Sequence, residues 1–174
     1  ILLNNLANNY TELNDEDKAL ELYNKAAGII KGIDDYAYAA TLSNIALILG
    51  EKNDNEALTY LKESFDLYRK MDSKPQMIGN LNQQANYHFN KKNFTRSKDL
   101  YLNAKELLKT VDSDFYKANT WNGLCKTNLA LGDIDSAQYY GNEAHKLAKQ
   151  TQLLDNQSEI TKYLYEISKT KNNP

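Results

Sequence analysis

Cys125, His88, His145 and the acidic runs Asp15-Glu16-Asp17 and Asp112-Ser113-Asp114 are the side chains of this 174-residue chain whose types could support nucleophilic, acid–base or metal chemistry. Their spacing supports none of it. A cysteine nucleophile needs a base beside it, and His88 lies 37 residues upstream of Cys125, on a packing face of another segment. One thiol makes neither a disulfide nor a Cys-based metal site within the chain. The two histidines fall in different segments with no Cys beside either, so no zinc site is expected. The acidic runs lack the ligand spacing and the glycine of a calcium loop, and read as helix-start caps. Neither a Gly-rich phosphate loop nor a Gly-x-Ser-x-Gly elbow occurs. No metal, no cofactor and no catalysis are expected. What the chain carries in quantity is carboxamide, with 22 Asn residues. A carboxamide donates and accepts, the same hydrogen-bonding complement as a peptide unit.

The elements that position these groups follow from composition and period. Hydrophobic residues make up 41% of the chain, enough for a core, while 7 Gly and 2 Pro are too few for a turn-rich β architecture. The 21 basic and 23 acidic residues are spread along the chain. They form no basic stripe, so nucleic-acid binding is not expected. No apolar run approaches the roughly 20 residues of a membrane span. The start, Ile1-Leu2-Leu3-Asn4-Asn5-Leu6, lacks a signal-peptide layout and reads as the middle of an amphipathic helix. The chain is therefore expected to be part of a longer protein, in a cytoplasmic or periplasmic setting. Arginine occurs only at Arg69 and Arg96 beside abundant Asn, Lys, Ile and Tyr, the bias of a low-GC bacterial source.

Three series recur in step. Leu3-x-x-Leu6-Ala7-x-x-Tyr10 is repeated as Leu42-x-x-Ile45-Ala46-x-x-Leu49, Leu81-x-x-Gln84-Ala85-x-x-His88 and Trp121-x-x-Leu124-Cys125-x-x-Asn128. The small residues Ala7, Ala46, Ala85 and Cys125 stand 39, 39 and 40 residues apart. Asn14, Asn53, Asn93, Gly132 and Asn172 follow at the same interval, and Asn and Gly tolerate the left-handed conformation that ends a helix. Asp15, Asp54 and Asp133 come next to three of them, as a new helix start favours. The third series is Ala19-x-x-x-Tyr23-x-x-Ala26, Ala57-x-x-x-Leu61-x-x-Ser64, Ser97-x-x-x-Tyr101-x-x-Ala104 and Ala137-x-x-x-Gly141-x-x-Ala144. Steps of four and three share one helical face. The pattern predicts nine helices, near 1–13, 16–31, 36–51, 55–70, 75–91, 94–109, 114–131, 134–149 and 156–170. Most of the thirteen tyrosines fall at packing positions, with Tyr36, Tyr38 and Tyr116 placed to join adjacent repeats.

This combination resembles the tetratricopeptide repeat, Trp-x-x-Leu-Gly-x-x-Tyr followed by Ala-x-x-x-Phe with Ala three further on. Trp121, Leu124 and Ala137 match it most literally, and the resemblance spans essentially the whole chain. The unit departs from the family in being near 40 rather than 34 residues and in lacking the closing Pro. Linkers such as Gly32-Ile33-Asp34-Asp35 and Met71-Asp72-Ser73-Lys74-Pro75 absorb the excess. The resemblance implies an all-α, right-handed α-α superhelix forming one solenoid over 1–174, with repeats near 1–33, 34–72, 73–112 and 113–152 and a partial one over 153–174. On that plan Ile160, Leu164 and Ile167 lack a covering helix, so the array is expected to continue and its open ends could self-associate.

In the family the first helix of each pair lines a concave groove. Carried over, the groove positions are Asn4, Asn8, Ser43, Leu47, Asn82, Asn86, Asn122, Lys126, Lys162 and Glu166, with Ala40, Gly79, Asn119 and Glu159 one turn earlier. Five of the first ten are Asn. Leu47 and Phe89 add apolar contact. The implied role is a protein-interaction scaffold holding an extended peptide or partner helix, each net hydrogen bond contributing roughly 0.5–1.5 kcal/mol. The first three pairs offer no cations for a carboxylate clamp. The alternative is the sensory or regulatory region of a bacterial signalling protein, such as a histidine kinase or transcription regulator.

Overall fold

The computed structural model describes residues 2–52, 55–151 and 154–172, with the side chains of 154–156 and 172 left aside. Among the described residues there are nine helices and no strand. They are α1 (Leu2–Glu12), α2 (Glu16–Ile30), α3 (Asp35–Glu51), α4 (Glu56–Lys70), α5 (Lys74–Asn90), α6 (Phe94–Leu107), α7 (Asp114–Ala130), α8 (Ile134–Thr151) and α9 (Leu154–Asn172). The chain forms two compact units, Ile1–Gln83 and Gln84–Pro174, which part within α5.

Small side chains decide how closely helices approach in each unit. In the first, Ala7 of α1 and Ala19 of α2 are fully buried beside Tyr23, Ile45 and Ile48. In the second, Cys125 of α7 and Ala137 of α8 are buried with Ile167 of α9. The outer helices α2, α4 and α8 bury one narrow stripe each, whereas α3 and α7 are buried on more than one side. Polar side chains inside are tied to backbone. Ser97 Oγ donates to the Ala85 carbonyl at 2.8 Å, and the Asn80 amide donates to the Leu61 carbonyl at 3.0 Å and Ser64 Oγ at 2.6 Å. Repeat joints use tyrosine: Tyr36 meets Tyr68 edge-on at 6.0 Å and its hydroxyl accepts from Gln76, while Tyr38 donates to Glu63.

The ends of α1, α4, α5 and α7 follow one recipe. Asn14, Asp72, Lys92 and Gly132 have φ of 57°, 49°, 60° and 79°. The residue after each donates its N–H five residues back, as in Asp15 to Tyr10 and Asn93 to His88, the bond that satisfies orphan carbonyls at a helix C-terminus. Helix starts are capped by side chains: Asp15 at α2, Asp34 at α3, Ser113 at α7 and Asp133 at α8.

The structure corrects three expectations. Lys92, not Asn93, takes the left-handed conformation, because the turn residue lies seven positions after the small slot (Ala7 to Asn14, Ala85 to Lys92, Cys125 to Gly132). Asn172 is still helical, and Asn53, Asp54, Asn173 and Pro174 lie outside the described residues. Ile160 and Ile167 are not left uncovered: both are fully buried, and with Leu164 they pack on α7 and α8.

Tyr101 shows how strict the close approach is. Its ring lies over Gly123, where an added Cβ would fall 2.1 Å from the ring. Gly123→Ala is expected to destabilise the protein by at least the roughly 1–3 kcal/mol of an overpacked core. In a Tyr101→Leu background the same change should cost less than half as much, measured by urea unfolding of the double-mutant cycle. At the turn after α5, Lys92→Gly is expected to stabilise by about 1 kcal/mol, since glycine lacks the left-handed penalty. Asn93→Gly should not, and the two unfolding midpoints test the register.

Candidate functional site

The expected groove residues divide between the two units and between surface and interior. In the first unit Asn8 and Leu47 are exposed and Asn4 is half-buried, while Ser43 and Asn82 are buried. Ser43 donates to Ser64 Oγ at 3.1 Å, so its hydroxyl ties α3 to α4. Asn4 donates to Thr41 Oγ1 at 2.7 Å, tying α1 to α3. Asn8 accepts the Tyr23 hydroxyl at its Oδ1 and a long 3.4 Å contact from Asn44. A hollow of about 270 Å³ opens beside it, lined by Asn8, Thr11, Glu12, Tyr23, Asn44, Leu47 and Ile48.

In the second unit Asn86 is exposed, Phe89, Asn119 and Lys126 are half-buried, and Asn122 is buried. Asn86 Oδ1 accepts from Tyr101 at 2.6 Å and from Lys126 Nζ at 2.7 Å. An ammonium can only donate, which fixes the amide with its oxygen toward Lys126 and its Nδ2 turned away. The same ammonium lies 4.8 Å from the centre of the Phe89 ring, within cation–π range. Asn122 donates to Glu159, and Tyr163 donates to the same carboxylate at 2.8 Å. Desolvation holds the Lys126 ammonium below its usual range, partly offset by the Glu159 charge. Burial pushes the Tyr101 and Tyr163 hydroxyls up, so both remain neutral donors.

The tyrosine partners were not among the expected site residues, although their signal is in the sequence. Asn8 to Tyr23 and Asn86 to Tyr101 are both steps of 15, and in each the Oδ1 is held by the hydroxyl. The Nδ2 groups of Asn8 and Asn86 have no partner among the described residues. Each unit thus presents an amide donor whose orientation is set from behind. Among the described residues no group of three His, Cys, Asp or Glu stands together as a metal site would. No helix among them is long and apolar enough to cross a membrane.

Residues 1–70 match the model of the tetratricopeptide repeat. The fold is shared with BtubC (BKLC) from P. vanneervenii at a TM-score of 0.77 and 18% identity, over 86% of this chain. The chain spans 63% of BtubC's length. It is also shared with a candidate kinesin light chain of Podosopora anserina described as nearly identical TPR-like repeats. There the TM-score is 0.66 and the identity 13%, over 99% of this chain and 96% of that one. The chain is similar in sequence to the tetratricopeptide repeat over residues 1–70 and in fold to TPR-like repeats over nearly its whole length. It matches no curated protein in sequence. Its fold is an all-α solenoid of helix pairs, and tetratricopeptide repeats generally mediate protein–protein interaction on a scaffold that is typically non-catalytic.

Burial quiets the single thiol, Cys125. Fully buried in its small slot, its thiol is pushed by burial, then by the Glu159 charge, from 9.0 up to about 12. At pH 8 the folded protein should hold on the order of a thousand-fold less thiolate at this site than the unfolded chain, and react correspondingly slowly with a disulfide reagent. Because the folded pKa is raised, this contribution to stability is complete below pH 9 and fades as pH climbs towards 12. Thiol labelling with and without urea, and urea midpoints at pH 8 and 10.5, check both signs.

Proposed function

We propose that this tetratricopeptide-repeat chain is an interaction scaffold that holds an extended peptide, or one face of a partner helix, against α1 and α3 in the first unit and against α5 and α7 in the second. The observation that carries the proposal is the amide pair Asn8 and Asn86, each anchored by a tyrosine hydroxyl through Oδ1 and left with an unpartnered Nδ2. A pre-oriented donor binds a carbonyl oxygen without first losing rotamer freedom. Leu47, exposed at 46%, and the half-buried Phe89 supply apolar contact beside these amides. Ser43, Asn82 and Asn122 act from behind as supports rather than as contacts, because each is buried.

Peptides selected from a random display library on the intact protein provide the ligand for a test. Asn8→Ala and Asn86→Ala should each weaken such peptides by about two- to tenfold, the loss of one net hydrogen bond. Far-ultraviolet circular dichroism should stay unchanged. Asn82→Ala is instead expected to lower thermal stability. Full retention of peptide affinity in the Asn8→Ala/Asn86→Ala double variant would overturn the proposal.

A further inference from the structure

The two units carry the same local arrangement in register, and they differ at one decisive position. Asn86, Phe89, Tyr101, Gly123 and Lys126 of the second unit correspond to Asn8, Thr11, Tyr23, Asn44 and Leu47 of the first. In the second unit Lys126 reaches back from α7, donates to Asn86 Oδ1 at 2.7 Å and lies over the Phe89 ring. In the first unit the matching position is Leu47, which has no ammonium to offer. The seat on Asn8 Oδ1 beside the Tyr23 hydroxyl is met only by the long 3.4 Å contact from Asn44. The space stays open as the hollow of about 270 Å³, several water volumes. On its wall stands Glu12, exposed, with no ion pair among the described residues.

The geometry points to a side-chain subsite in the first unit: the hollow between α1 and α3 takes a lysine side chain of the bound peptide. Its ammonium donates to Asn8 Oδ1 and to the Glu12 carboxylate, and its stem lies against Leu47 and Ile48. The second unit shows the arrangement already made with the chain's own lysine, on the same amide and tyrosine. Charge agrees, because the one ionised group on the hollow's wall is an acid. An aliphatic side chain of equal length would fill the stem region but leave Glu12 without a donor and the Asn8 oxygen with only the Tyr23 hydroxyl and the long Asn44 contact. This subsite rests on the reading that the chain holds peptides, and adds to it a residue type.

The test uses the intact chain, labelled with nitrogen-15, and two probes: acetyl-Ala-Ala-Lys-Ala-Ala-amide and the same peptide with norleucine in place of lysine. The lysine peptide should shift the Asn8 side-chain amide and the Glu12 and Leu47 backbone resonances saturably. It should bind at least about fivefold more tightly than the norleucine peptide at low salt, with the margin shrinking as salt is added. Glu12→Gln should reduce that preference to about twofold or less. Leu47→Lys, which supplies an internal ammonium as Lys126 does, should abolish it while circular dichroism stays unchanged. Equal affinity of the two peptides for the unmodified protein overturns the lysine subsite. So does a preference that survives both substitutions. If both peptides shift Asn8 and Asn86 alike, only the subsite falls and the peptide-holding reading stands; if neither peptide shifts any resonance, both fall.

Discussion

Helix-to-helix distance is fixed in this protein by residues that are small where their neighbours are large. Ala7, Ala19, Ala46, Ala57, Ala85, Ser97, Cys125 and Ala137 are all essentially removed from solvent. Each lets a backbone come near enough for long side chains on either flank to reach the next helix. Without that approach Tyr101 could not lie across Gly123, and its hydroxyl would fall short of Asn86. The polar features of both units are thus downstream of packing: the amides are oriented because the tyrosines are, and the tyrosines because the slots are narrow.

The third series of small and large residues is not uniform, and its variation separates the repeats. Tyr23 and Tyr101 stand in the first and third repeats, while Leu61 and Gly141 occupy the same place in the second and fourth. In the tyrosine-bearing repeats the hydroxyl holds an asparagine from behind. Gly141 leaves room for Leu164 of α9 and for Cys125, since a Cβ there would come within 2.9 Å of the leucine and 3.0 Å of the sulfur. One structural slot therefore carries two jobs, anchoring an amide in alternate repeats and admitting a neighbouring helix in the fourth.

Much of this was legible in the sequence. The small slots, the steps of four and three and the nine helices were all visible as spacing, because burial between helices leaves a periodic trace. Helix termini were legible where Asn or Gly marks them and misread at Lys92, where an unfavoured residue takes the left-handed turn and the adjacent Asn93 drew attention instead. The burial of Ile160 and Ile167 was missed because it depends on α9 folding back on α7 and α8, which no local pattern records. Among the groove positions, periodicity could place Asn8 and Asn82 on comparable faces of their helices. It could not show that one is exposed and the other enclosed, because enclosure is decided by helices distant in sequence.

The anchored amides also give the surface a polarity. With the oxygen of Asn86 committed to Tyr101 and Lys126, the group meets its surroundings as hydrogen alone. A free carboxamide can pair with both halves of a peptide bond, whereas one so anchored can pair only with an acceptor, and the carbonyl is an acceptor that every residue type possesses in equal measure. An amide held this way discriminates no sequence by itself, so any selectivity on this face falls to the few side chains around it.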